Sequence, residues 1–242
     1  MVTHVILRAD NVDGSALDAL LRWFEDTETQ IPCSVFLTKT NDTWTTEQWD
    51  RLANQIESQG WEAGGNGRRG EILTQFAEEE IQRRVAANVR DIESNLPLDY
   101  SVRSFAYPDG DYDERVIAAL QTLGIECGLT YPDGYPYEST ITTPNGADRY
   151  RWGIAHHGYF DVDIWNRRFD YVHERGGLYT VCVHPQWWPT TDGSELETNT
   201  GIVTDVRPNQ GHQEPDKLAA HISYLESLEN VQFTTFRSLI SE

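Results

Sequence analysis

Apolar positions along the chain follow two periods in turn. Short apolar runs alternate with longer segments in which apolar residues recur every three or four positions, and this order persists from end to end. Val2–Arg8 reads as a strand, after which Ser15 caps a helix whose Leu17, Leu20, Leu21 and Phe24 form one stripe. Cys33–Thr38 is the next strand. Thr46 opens a helix with Trp49, Leu52, Ala53 and Ile56 on one face, Gly60 ends it, and a strand Trp61–Ala63 runs into the turn-rich GGNGRRG. Thr74 caps a long helix with acidic early turns and with Ile81, Val85, Val89 and Ile92 facing inward. A strand Val102–Tyr107 breaks at Pro108-Asp109-Gly110, a helix carrying Val116, Ile117 and Leu120 stops at Gly124, and Glu126–Thr130 is again a strand. Residues 131–160 have only weak periodicity, with a short strand near Tyr150–Gly153. A helix around Ile164–His173, a strand Leu178–His184, a polar loop Pro185–Pro215, a helix with Leu218, Ile222 and Leu225, and a strand Val231–Thr235 complete the series. Seven or eight βα steps predict an α/β protein with a largely parallel sheet, a distorted (β/α)7-type, TIM-barrel-like domain over residues 1–242.

The chain has 242 residues, 19 Lys+Arg against 39 Asp+Glu, and a formal net charge of −20. That balance excludes nucleic acid and anionic membrane surfaces as partners. Only Lys39 and Lys217 are lysines among the basic residues. Such a surface repels itself at ordinary ionic strength, whereas molar salt shortens the screening length to roughly 3 Å, so the composition fits a halophilic source. No apolar run is long enough to cross a membrane. The first residues form a strand with no basic segment before it, from which a cytoplasmic protein is expected, with release inside a particle as a further route. Cys33, Cys127 and Cys182 each sit in an apolar strand-like run, and their scattered spacing argues for free buried thiols rather than a disulfide or zinc framework.

In a βα barrel the functional face lies at the C-terminal ends of the strands. Four stretches place polar and turn residues there: Arg8-Ala9-Asp10-Asn11, Gly65-Asn66-Gly67-Arg68-Arg69-Gly70, Tyr107-Pro108-Asp109-Gly110 and His184-Pro185-Gln186-Trp187-Trp188. Aromatic rings beside polar groups suit stacking on sugar faces. The segments VILRADNVDG with SVFLT, GWEAGGNGRRGEIL, RSFAYPDGDYD, TVCVHPQWW and the closing FTTFRSLI together resemble the polysaccharide deacetylase (NodB-homology) family over nearly the whole chain. The resemblance implies a divalent metal held by one Asp and two His, a second Asp as base and a late His as acid, acting on an acetyl carbonyl.

Carried over residue by residue, the resemblance puts the base on Asp10 and the acid on His184. The three ligand positions fall on Asn11, Asn66 and Gly70, which offer two neutral amides and no donor, so no metal cofactor is expected. Asp13 is a second register for the lost carboxylate. The family's motif arginine falls on Ala106, with Arg103 nearby. Tyr107, Pro108, Asp109, Trp187 and Trp188 are the expected substrate contacts; as adjacent strand residues the two tryptophans cannot both face inward. Arg68 and Arg69 either pair with the acidic surface or recognise a substrate carboxylate. The expected role is a degenerate, non-catalytic relative with a glycan as partner or with a structural task. The rival is an active deacetylase with zinc or another divalent metal in a rebuilt site drawn from Asp10, Asp13, His156, His157 and His184. A third reading is a component of a larger cellular or viral assembly.

Overall fold

The computed structural model describes residues 2–38, 44–97, 99–130, 149–153, 161–188 and 215–241, together with the backbone of 156–157. Strands and helices follow one another as β1 (Thr3–Val12), α1 (Gly14–Asp26), β2 (Cys33–Leu37), α2 (Thr46–Gln59), β3 (Glu62–Gly65), α3 (Glu78–Asn95), β4 (Ser104–Ala106), α4 (Glu114–Thr122), β5 (Cys127–Leu129), β6 (His156–His157), α5 (Val162–His173), β7 (Gly177–Val183), α6 (Pro215–Glu226), β8 (Val231–Phe233) and α7 (Phe236–Ser241). Every strand pairing is parallel, in the order β5-β4-β3-β2-β1-β7-β6. β7 takes one edge of β1 from Thr3 to Ala9, while the other edge is divided: β8 pairs with Thr3–Val5 and β2 begins at Leu7. The result is a curled parallel sheet, the distorted α/β barrel that the periodicity predicts.

Strand alternation sorts the core into two layers. On β1, Val5, Leu7 and Ala9 pack outward with the stripe of α1, whereas Ile6 joins Phe36, Ala106, Leu129, Trp152, Leu178 and Phe236 inside the curl. Cys33, Cys127 and Cys182 are buried and free, as the sequence indicates. The N-terminal end of the barrel is closed by α7. There Ser34 Oγ donates to Glu62 at 2.8 Å, Ser104 Oγ donates to the same carboxylate, and the Arg237 amide adds a third bond at 3.0 Å. Burial raises the Glu62 pKa, and these donors pull against the rise.

Two predicted caps are corrected. α1 starts one residue before Ser15, so Asp13 occupies the capping position and accepts from the Ala16 amide at 2.9 Å. Thr74 lies in a 3₁₀ turn (Leu73–Gln75) ended by extended Phe76; α3 starts at Glu78, and the Thr74 hydroxyl donates to Asp111 instead. The short strand expected at Tyr150–Gly153 reduces to one bridge, Trp152 to Leu129. α7 follows the last strand, where the periodicity gave no helix. Among the described residues no helix is long and apolar enough to cross a membrane.

Candidate functional site

The even-numbered residues of β1 point into the barrel, and Ile6 is followed by Arg8 and Asp10. Both charged residues are fully buried. The guanidinium grips the carboxylate with two bonds, Nε to Oδ1 at 2.7 Å and Nη2 to Oδ2 at 2.6 Å. Its remaining nitrogen Nη1 donates to the Thr130 carbonyl at 3.2 Å, just past the end of β5, and the group lies 5.6 Å from the Phe36 ring centroid. β7 brings two more inward residues to the same level. Asp10, Cys182 and His184 have ligand-type atoms all within 4.8 Å of one another, and all three residues are buried. Cys182 bonds to Asp10, and its thiol pKa is raised well above the ordinary value by burial first and by the Asp10 charge second, with Arg8 opposing.

After β7 the chain turns through Pro185–Trp187. Because this is a 3₁₀ turn and not a strand, it separates the two indoles. Trp187 is 38% exposed and stacks on the His184 ring at 4.4 Å between centroids and 18° between planes. Trp188 is buried against Trp23 of α1. Trp187 and His184 thus form an aromatic face beside Asp10, while Trp188 is part of the core.

The loop after β3 supplies the other wall. Asn66 is buried with both ends of its amide engaged: Oδ1 accepts from the Asn11 amide at 2.9 Å, and Nδ2 donates to the Ala106 carbonyl at 2.8 Å. Asn88, from α3, holds the loop from behind by accepting from the Asn66 and Gly67 amides, each at 3.1 Å. Asn11 has a φ of 54° and Gly70 a φ of 70°. The left-handed region suits both residue types, and at Gly70 nothing lies within 4 Å of where a Cβ would be. Arg69 reaches Asp13 at 3.6 Å and the Asn11 carbonyl at 3.4 Å, tying this loop to the end of β1.

The remaining expected contacts are dispersed. Tyr107 is fully buried, donates to the Tyr150 carbonyl at 2.9 Å and stacks on Tyr112. Its burial follows from its outward register on β4, where it fills the space over Gly128. Pro108 is buried next to Gly67. Asp109 is exposed with a φ of 54°, and its pKa is raised by partial desolvation and then by the neighbouring Asp111. Arg103 belongs to the opposite end of the sheet, where it pairs with Glu126 at 2.6 Å. Asp13 is committed to capping α1. The side chains of His156 and His157 lie outside the described residues.

Among the described residues, the family's ligand positions do not fit a divalent metal. At the family positions, Asn66 has both amide ends in structural bonds, Gly70 has no donor, and Asn11 carries no charge. The second set, Asp10, Cys182 and His184, has metal-type donors, but Arg8 already takes both oxygens of the Asp10 carboxylate and burial raises the Cys182 thiol pKa.

A family model described as polysaccharide deacetylase matches residues 5–128, just over half of the chain. A sequence search of curated proteins gave no match. Among solved structures, a CE4 family pseudoenzyme from Bacillus anthracis is 16% identical, with a TM-score of 0.57 over 99% of this chain and 66% of its own; this chain therefore spans just under two thirds of that protein's length. A mutant of that pseudoenzyme is described as having restored enzymatic activity. The Xyl-CE4 domain of a multidomain xylanase from the hindgut metagenome of Trinervitermes trinervoides is 12% identical, with a TM-score of 0.59 over 100% of this chain and 91% of its own. The 4-alpha-glucanotransferase of Thermococcus litoralis, also 12% identical, reaches 0.63 over 100% of this chain and 40% of its own. At such identities the structures establish the fold alone, and the glucanotransferase warns against reading one reaction from it. The family match supplies what the fold cannot: the chain belongs to the polysaccharide deacetylase family.

Proposed function

We propose that this chain is a non-catalytic polysaccharide deacetylase-like protein that holds a glycan at the C-terminal mouth of its barrel. The observation that carries the reading is the bonding of Asn66. A ligand position in an active relative needs a donor directed at the metal, and here both ends of the side chain are spent on the Asn11 amide and the Ala106 carbonyl. The loss is coordinated, since Asn11 and Gly70 lack strong donors as well. Without a Lewis acid at these three positions, the means of lowering the pKa of water and polarising an acetyl carbonyl is lost there. The half-exposed Trp187, backed by His184, offers a flat apolar face with polar groups beside it, which suits one face of a sugar ring. The description of a pseudoenzyme among the structural neighbours supports a scaffold that persists without its original chemistry.

The test joins two measurements on one preparation: acetate release from acetylated oligosaccharides, and binding of the same sugars by calorimetry. The expected result is binding without turnover, weakened roughly two- to tenfold by Trp187→Ala. Acetate release by the wild type that a chelator abolishes would overturn the reading.

A second reading rests on the approach of Asp10, Cys182 and His184. Co²⁺, as a spectroscopic probe, bound there would give an intense thiolate-to-metal absorption that Cys182→Ser removes, and that result would favour the rebuilt enzyme.

A further inference from the structure

Against the acidity of the whole chain, one cleft gathers arginines. It measures about 110 Å³ and lies between the loop after β3 and α3, lined by Gly67, Arg68, Glu71, Arg83, Arg84 and Asn88 among others. Its acceptors are already used. The Glu71 carboxylate takes Arg84 on one oxygen and the Arg68 backbone amide, at 3.3 Å, on the other. Asn88 spends its oxygen on two loop amides and its nitrogen on the Leu37 carbonyl.

The donors are in surplus. Arg84 is fixed by Glu71, by Glu80 at 2.5 Å and by the Phe76 ring 4.0 Å from its guanidinium carbon. Arg83 contacts Glu80 through Nε and Nη2 and is 71% exposed. The exposed Arg68 guanidinium makes no ion pair among the described residues. Three guanidiniums therefore face two carboxylates, and the unsaturated groups on the cleft wall are N–H donors. The location matters as much as the charge. Gly67 follows Asn66 directly, and Asn88 of the cleft bonds the amides of both, so the cleft and the mouth share one loop. Gly67 has a φ of 64° and a Cβ there would come within 3.2 Å of Pro108, so the loop is pressed against the rim.

We infer that this cleft receives the oxyanion of an acidic glycan, a carboxylate or sulfate substituent on a sugar whose ring lies across the mouth. The inference rests on the glycan-binding reading above and narrows it to acidic polymers. In a protein of net charge −20 a polyanion is repelled at long range, so recognition depends on direct contact with Arg68 and Arg83. Arg68 then selects for charge, and Trp187 holds the sugar irrespective of charge.

The experiment titrates wild type, Arg68→Met, Arg83→Met and Trp187→Ala with galactose, galacturonate and sulfated galactose tetramers, and separately with inorganic sulfate, at about 0.2 M and about 2 M KCl. Both arginines are exposed, so matching thermal unfolding curves establish that the variants fold. The expected result is a preference of about tenfold or more for one acidic tetramer over the neutral one, reduced to the neutral level by Arg68→Met and lowered by Arg83→Met. The preferred tetramer identifies the oxyanion. Equal affinity for all tetramers, or a preference insensitive to Arg68→Met, overturns the acidic cleft and leaves the glycan reading standing. Arg68-dependent binding of sulfate with no tetramer bound overturns the glycan reading, and the cleft is then a site for small anions. Absence of all binding overturns both.

Discussion

Replacing Arg8 by Met would leave the Asp10 carboxylate buried without its counterion. Both side chains are essentially inaccessible, at 0% and 1% exposure, and their closest approach is 2.6 Å. Removing one partner of such a pair costs about 3–5 kcal/mol, most of it the uncompensated charge left behind. Arg8→Met also strips the Thr130 carbonyl of a donor and removes the cation beside Phe36, which places it at the upper end. Asp10→Asn keeps one acceptor for the guanidinium but strands its charge, so about 3 kcal/mol is expected. The double variant Arg8→Met/Asp10→Asn contains neither charge. Its loss should fall well short of the sum, with a coupling energy of about 2–3 kcal/mol. The assay is urea unfolding at fixed KCl, with the four m-values required to agree so that only stability changes. Single losses below about 1 kcal/mol that add in the double variant would refute the buried pair.

His221 gives a pH prediction. It is buried between Asn166 and Tyr179, and desolvation pushes its pKa down to about 3 from the ordinary 6.5. A depressed histidine favours folding fully above pH 6.5 and loses that contribution as pH falls, amounting to about 2 kcal/mol at pH 5. Unfolding curves between pH 7 and 5 should show this slope in the wild type, and His221→Gln should lack that part of it; identical slopes would contradict the assignment. Salt gives another. A formal charge of −20 should make unfolding free energy rise as KCl goes from low to molar concentration, and a flat profile would contradict adaptation to salt.

Fold class was legible because strand and helix periods alternate without interruption, and each βα step names the next parallel strand. The caps were less legible: Asp13, Ser15 and Thr74 all have capping side chains, and only the helix start decides which one acts. Asp10 and His184 were expected on one rim from their motif positions, and the structure brings their side chains close to each other. Arg8 was placed on the same rim, but its pairing with Asp10 was not expected although the signal was present, since residues two apart on a strand share a face. Cys182 carries the same signal relative to His184. Trp188 and Tyr107 are buried for reasons outside the local sequence. A 3₁₀ turn at the start of the expected loop sets the two indoles apart, and Tyr107 fills space left by Gly128, a residue on another strand. The side chains of His156 and His157 fall outside the described residues.

The loss of strong metal donors at the three family positions Asn11, Asn66 and Gly70 is tested by zinc titration of the wild type beside Asn11→Asp/Asn66→His/Gly70→His. The variant regains one carboxylate and two imidazoles. It should be less stable than the wild type, because Asn66→His gives up two buried hydrogen bonds and Gly70→His places a side chain at a φ of 70°. Space is not the obstacle at Gly70, where a Cβ meets nothing within 4 Å. Calorimetry with chelator competition should give no tight site in the wild type and one equivalent in the triple variant. One tightly bound equivalent in the wild type would contradict the account, and loss of that site in Cys182→Ser would trace it to Asp10, Cys182 and His184.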